Sequence, residues 1–506
     1  MKKRTISALM AATMVLGSMT ACGSSGASSE AASTNSTDTA ASAAESATGE
    51  KEKVKLTIMF RDPGEGENGP AYLWLKKAAD SYTSDKYDVE VDLAPITAST
   101  GDYYSKIALN LSSADACPDI ILEDSYQVAA DVSAGYLTKL DDYLKDFDEW
   151  NNGYFIESMK ASGQTADGSY YTVPICTDTR LLFYNKDVFA EAGLPTDWQP
   201  KTWDDILDAA RTIRDNTSDD VVPLWLSSGA AEGEATSMNS YEMLLSGCDD
   251  FLMEDGKFIT SSESILDTLN FFKTVYDENL GAPLSVILNG NAAGTGAKEY
   301  LPNGKVGIHL NGCWEPQYYY ADGSAPWADY KEKLGVALMP TKDSDTYTTM
   351  SGGWGIAIPE NSSNKDAAFD FLKHAVTDPA LEIYLVKNGN LSVLTDNSHF
   401  TGEGLDTPYA DTAFIDEINE SVKYAKFRPQ DENYPTVSAN IYAMVESVVT
   451  GTDPQAAMDK FATDVANAIG EDHTVSKSIV IRRQCPTTCC DEGRLPILQA
   501  VPHIFI

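Results

Sequence analysis

Residues 54–60 read VKLTIMF and residues 118–122 read PDIIL. Between them Tyr72, Leu73, Leu75, Ala78, Ala79 and Tyr82 recur at helical spacing, residues 89–93 form a second β-rich run, and 103–111 form a second helical series. Strand, helix, strand, helix, strand predicts parallel pairing with helices packed on both faces of a sheet. In sheets of that kind a ligand lies beyond the carboxyl ends of the strands. Asp62, after the first strand, and Glu123, Asp124 and Tyr126, after the third, therefore stand on candidate binding loops, with Arg61 and Glu65 beside Asp62.

Further along, residues 173–212 read VPICTDTRLLFYNKDVFAEAGLPTDWQPKTWDDILDAART. The pieces Tyr184-Asn185-Lys186-Asp187, Ala192-Gly193-Leu194-Pro195 and Pro200-Lys201-Thr202-Trp203-Asp204 resemble the signature of extracellular solute-binding proteins of family 1. These are the receptors of sugar-importing ABC transporters, with maltodextrin-binding protein the familiar member. Three more stretches, in the family's order, are similar to it: Cys117-Pro118-Asp119-Ile120 with Ala134-Gly135-Tyr136-Leu137, then 303–314 (NGKVGIHLNGCW), then 352–359 (GGWGIAIP). The resemblance covers about 54–471. It implies an α/β, two-lobed, periplasmic-binding-protein-like fold, each lobe a mainly parallel sheet flanked by helices, with the ligand cleft between the lobes. The first lobe takes 54–177 plus 354–395 and the second 178–353 plus 396–475.

The same resemblance nominates ligand contacts. Asp178 falls where the family places a carboxylate on ligand hydroxyls, and Arg180, two residues on, shares its face if the segment is extended. A carboxylate that accepts and a guanidinium that donates in a fork suit a polyol; an ion pair bracing the hinge is the other reading. Trp314 and Trp354 stand at matched positions, and an indole face stacks on the aliphatic face of a pyranose. Tyr434 lies in the late segment that the family uses for further contacts. Thr202 and Asp205 together have the spacing of a capping box, so the conspicuous 200–203 stretch reads mainly as a helix start.

Before the body, Met1-Lys2-Lys3-Arg4 and an apolar run over 6–16 form a secretory signal too short to span a membrane stably. Met19-Thr20-Ala21-Cys22 resembles a lipobox, with 1–21 the signal peptide and Cys22 the lipidated first residue. Residues 23–50 hold eight Ser, eight Ala and four Thr in 28 positions and cannot build a core. The segment 22–53 reads as a disordered tether with a root-mean-square span of about 30 Å. These features predict a lipid-anchored protein on the outer face of a bacterial cell membrane. At the other end, 476–506 carries Cys485, Cys489 and Cys490 and a net positive charge, and reads as an anomalous disordered tail.

The 506 residues carry 76 acidic and 37 basic side chains, a formal net charge of −39. So acidic a surface disfavours nucleic acid and anionic lipid and favours neutral or cationic partners. Five His cannot readily build a multi-histidine metal centre, and no catalytic motif or C-x-x-C pair of zinc spacing is present. The expectation is a monomeric, non-enzymatic binding protein without cofactor or metal, whose partners are a small carbohydrate and the membrane permease of an importer. A secreted glycosidase or lyase is the alternative, since close carboxylate pairs arise readily among so many acids. The body cysteines Cys117, Cys176, Cys248 and Cys313 read as small buried hydrophobes, with a Cys176–Cys313 bridge as the other option.

Overall fold

A computed structural model describes residues 51–478 except residue 99. The leader 1–21, Cys22, the tether as far as residue 50 and the tail from residue 479 lie outside the described residues. Among the described residues no helix is long and apolar enough to cross a membrane.

The strand Glu52–Asp62 buries Val54, Leu56, Ile58, Phe60 and Asp62, its alternate positions. It pairs in parallel with Tyr87–Thr97 on one side and with Ile120–Asp124 on the other. Two short strands complete the sheet, in the order 87–97, 52–62, 120–124, 354–357, 172–174. Helix Pro70–Ser81 begins with Pro at its first turn and lays Trp74, Leu75 and Ala78 on Leu56, Ile58 and Phe60. Helix Lys365–Thr377 adds Phe371, Leu372 and Ala375, and Trp74 Nε1 donates to the Ala375 carbonyl at 3.1 Å. Each such buried large side chain contributes about 1.5–3 kcal/mol of transfer free energy.

The second sheet has the order 334–337, 180–185, 306–312, 222–225. Its central strands Arg180–Asn185 and Val306–Gly312 are buried at every residue. Helix Trp203–Asn216 packs on it behind the anticipated capping box. There Thr202 Oγ1 accepts from the Asp205 N–H at 3.3 Å and Asp205 Oδ2 accepts from the Thr202 N–H at 3.1 Å. The core continues into helices Tyr434–Val449 and Pro454–Ile469, which contribute Tyr434, Ile441, Met458 and Phe461. In the segment that precedes these helices, Tyr409 packs into the first core and Ile418 beside the second sheet.

The sheets are mixed rather than mainly parallel. Trp354–Ala357 runs antiparallel to both its neighbours, and Arg180–Asn185 runs antiparallel to both of its own. Each of these strands enters its sheet directly from the other sheet's side, and so arrives from the opposite end. Between the sheets the chain crosses through three adjoining segments. Asp178 bridges to Gly352, Thr177 to Leu391, and Thr349–Ser351 pairs in parallel with Ala425–Phe427. Gly353 has φ +135°, and a Cβ there would lie 2.2 Å from the Cys176 carbonyl oxygen, so close backbone contact at the crossing requires glycine.

Cys117, Cys176, Cys248 and Cys313 are all free thiols, which removes the bridge option. Cys176 Sγ instead accepts from the Trp354 N–H at 3.4 Å, and Cys313 Sγ donates to the Gly389 carbonyl at 3.2 Å. Two expected boundaries shift. The first strand starts at Glu52, inside the anticipated tether. The strand Thr474–Ser476 pairs with Lys257–Ser261, and the Lys477 ammonium meets Glu254 at 2.8 Å, so residues 476 and 477 belong to the body.

Candidate ligand-binding cleft

Between the two sheets lies a cleft of about 1260 Å³. The carboxyl ends of the first-sheet strands bring Arg61, Asp62 and Asp124 to it, the crossings bring Asp178, Arg180 and Trp354, and the second-sheet side brings Lys298, Trp314 and Tyr318. Six of the nine anticipated site residues therefore meet there: Asp62, Asp124, Asp178, Arg180, Trp314 and Trp354.

Trp314 follows the Val306–Gly312 strand and turns back over it. A Cβ on Gly312 would come within 2.2–2.4 Å of the indole ring atoms, so the ring lies flat on that glycine. The Arg180 guanidinium sits 5.1 Å from the ring centroid. The next residue, Glu315, is fully buried and anchors the turn: it accepts from Tyr319 Oη at 2.7 Å and faces His309 Nδ1 at 3.1 Å and the Asn311 amide. Trp354 is half-buried, its indole edge-on to Tyr103 at 6.2 Å. Tyr318 and Tyr320 reach the cleft while Tyr319, between them, is buried in the core.

The carboxylates are less free than their position suggests. Asp62 Oδ1 accepts the N–H groups of Gly64, Glu65 and Gly66 at 2.8–3.1 Å, and Thr97 Oγ1 donates to Oδ2 at 3.0 Å. Burial raises its pKa, but these donors outweigh burial and hold it below the usual carboxylate range. Asp62 is thus a loop organiser. Asp178 Oδ1 accepts from Arg180 and from the Gly352 N–H at 2.9 Å, while Arg180 Nε donates to Asn239 at 2.8 Å. The ion pair bracing the hinge is present, and both members also face the cleft.

Asp124 leads into a network that the sequence did not signal. Arg428, fully enclosed, donates to Asp124 at 2.9 Å, to Ser125 Oγ at 3.0 Å and to Glu234 at 2.8 Å, tying the end of the first sheet to the short helix Glu234–Thr236. Burial raises the Asp124 pKa and Arg428 partly offsets it. Tyr434 is completely buried, and its hydroxyl lies 2.9 Å from a Glu234 carboxyl oxygen and 2.8 Å from one of Glu242. Burial, reinforced by Glu234, pushes Glu242 up to about 8.

Glu123, Tyr126 and Tyr434 do not line the cleft, which corrects their anticipated placement. Side chains alternate across the Ile120–Asp124 strand, so Glu123 points opposite to Asp124; it is wholly buried beside Asp131, and burial raises its pKa well above the usual range. Tyr126 is wedged edge-on between Tyr104 and Tyr434 beneath Arg428. The cleft residue Lys298 lies in a glycine-rich stretch, 290–298, that no binding pattern marks in the sequence. Among the described residues no cluster of His, Cys, Asp or Glu could hold a metal ion.

Residues 66–382 match the family described as bacterial extracellular solute-binding protein. The chain is 26% identical over 306 residues to the lactose-binding protein of Rhizobium radiobacter, covering 59% of this chain and 66% of that one. It is 23% identical over 304 residues to the arabinooligosaccharide-binding protein of Bacillus subtilis, covering 57% and 62%. In structure it is similar to maltose-bound MalE3 of T. maritima, with TM-score 0.67, 22% identity and coverage of 82% of this chain and 100% of that one. It is also similar to the cyclic alpha-maltosyl-1,6-maltose binding protein of Arthrobacter globiformis, with TM-score 0.63, 24% identity and coverage of 83% and 99%. Those likenesses are of fold, a two-lobed α/β architecture. By the match over 66–382, the chain belongs to the bacterial extracellular solute-binding protein family.

Proposed function

We propose that this protein is the substrate-binding component of an ABC importer, capturing a sugar or oligosaccharide between its lobes and handing it to a membrane permease. The observation that carries the reading is the cleft's combination of aromatic side chains (Trp314, Tyr318, Trp354) with the Asp178–Arg180 donor and acceptor pair. Aromatic faces suit the C–H face of a pyranose and the polar pair suits its hydroxyls. The names of the lactose-, arabinooligosaccharide- and maltose-binding relatives support a carbohydrate. The lobes run 52–177 with 354–395 and 178–353 with 396–477, Tyr409 reaching back into the first core, the protein acts as a monomer, and Cys22 anchors it to the outer face of the membrane through the tether that precedes residue 52.

Micromolar capture requires about −8 kcal/mol, drawn from stacking and charge-assisted hydrogen bonds after the ordering cost is met. A thermal-shift screen of oligosaccharides followed by calorimetry tests the reading. Saturable binding with the sugar recovered unchanged is expected. Steady release of a shorter product would favour the glycosidase or lyase alternative, and no response to any sugar would refute the proposal.

A further inference from the structure

Arg180, Arg211, Arg214 and Arg428 each have a carboxylate partner. Arg61 is the one arginine among the described residues without a carboxylate partner. Its Nε is shut away from solvent with no acceptor. A buried guanidinium N–H left unmet is costly, and the chain has 76 acids for 37 bases. The nearest acid in sequence, Asp62, is committed to its three backbone N–H groups and Thr97.

Across the cleft stands Lys298, also without a carboxylate partner among the described residues, its Nζ 4.4 Å from the centroid of the Tyr318 ring. Arg61 is close enough to the same tyrosine to pull its hydroxyl pKa down against the larger effect of burial. Two cations from opposite walls thus converge on one aromatic platform. The cleft's other buried or half-buried cations are occupied: Arg180 by Asp178, and Lys387 by Asp322 at 2.9 Å. The acids left over, Glu65 and Asp406, are exposed.

We propose that the solute is an acidic sugar, whose anionic substituent is received between Arg61 and Lys298 while its ring lies against the Tyr318 and Trp314 side of the cleft. This rests on the sugar-binding reading above and narrows it. Arg61 offers a planar fork that matches a carboxylate, and Lys298 a mobile point charge. A surface of net charge −39 repels anions at long range. Preference for an anion must therefore come from these local groups. A sulfate ester presents the same chemistry as a uronate carboxylate, and the test separates them.

The full-length protein is titrated calorimetrically with oligouronates, with their methyl-esterified neutral twins, with sulfated disaccharides and with neutral oligosaccharides. The expected result is at least tenfold tighter binding of one acidic set than of its neutral counterpart, with the set that binds naming the substituent. Arg61→Gln is expected to erase most of that difference, and Lys298→Gln to erase part of it. Equal or tighter binding of the neutral twins overturns the inference and leaves the sugar reading standing. So does an Arg61→Gln variant that keeps its melting temperature and the full acidic preference. Failure of all four sets to bind counts against both.

Discussion

Replacing Trp314 by alanine removes an aromatic wall that Gly312 and Arg180 hold in place. The expected loss in sugar affinity is about 1–3 kcal/mol, read by calorimetry, from lost apolar burial and stacking. Normal binding by this variant would mean that the sugar sits elsewhere in the cleft. Gly353 offers a prediction about stability. With φ +135° and a virtual Cβ 2.2 Å from the Cys176 carbonyl, Gly353→Ala should cost about 1–3 kcal/mol in denaturant unfolding. An unchanged midpoint would show that the crossing can relax away from Cys176. At this scale the sequence was partly legible. Trp314, Trp354, Asp178 and Arg180 were legible because they stand in or beside recognisable motifs, on or next to the strands Arg180–Asn185, Val306–Gly312 and Trp354–Ala357. Tyr434 and Glu123 were not: the first is claimed by Glu234, 200 positions away, and the second by the far face of its strand.

Elements that depend on local period were readable, and those that depend on the chain's route were not. The helix at Trp203–Asn216 announces itself through Thr202 and Asp205, three residues apart. The antiparallel entry of Trp354–Ala357 has no local signature, because strand direction is set by where the chain comes from. The Arg428 network is likewise invisible beforehand, since Asp124, Glu234 and Arg428 lie 110 or more positions apart from one another. It carries a pH prediction. Tyr434 has one hydroxyl proton for two carboxylates at 2.9 and 2.8 Å, and a proton kept on Glu242 relieves the conflict. In the folded chain Glu242 keeps that proton up to about pH 8, against an ordinary value of 4.5 in the unfolded chain. The folded state therefore binds more protons across this window, so this contribution is full below 4.5 and is lost as pH rises toward 8. Glu242→Gln should flatten that part of the stability–pH curve in urea titrations. A wild-type slope in the variant would mean that Glu242 is ionised in the fold. Arg428→Ala should destabilise by about 3–5 kcal/mol, because it leaves buried acids without their cation; a loss near zero in the same titrations would show that Asp124 and Glu234 are neutralised some other way.

For the whole molecule, two cores face each other across the cleft and are joined by three adjoining crossings at 175–180, 349–354 and 425–428. Adjacent crossings act together as a hinge, since small φ/ψ changes in a few consecutive residues can swing one sheet on the other while Thr177 keeps its hydrogen bond to Ser351 and Thr349 Oγ1 keeps the one it accepts from the Arg180 N–H. A ligand closes such a cleft only if it binds the closed form more tightly than the open one. Side chains line both walls, Arg61 and Asp124 on one and Trp314, Tyr318 and Lys298 on the other, and on the proposed reading a sugar held by both would supply that difference. A bound sugar bridges them only when the walls approach. Small-angle scattering should accordingly show the radius of gyration falling on saturation with the sugar that calorimetry identifies. The fall should shrink in Trp314→Ala, which takes away one wall's grip while leaving the hinge intact. A saturating sugar that produces no compaction would mean that it binds to one lobe alone, and the wall-to-wall mechanism would fail.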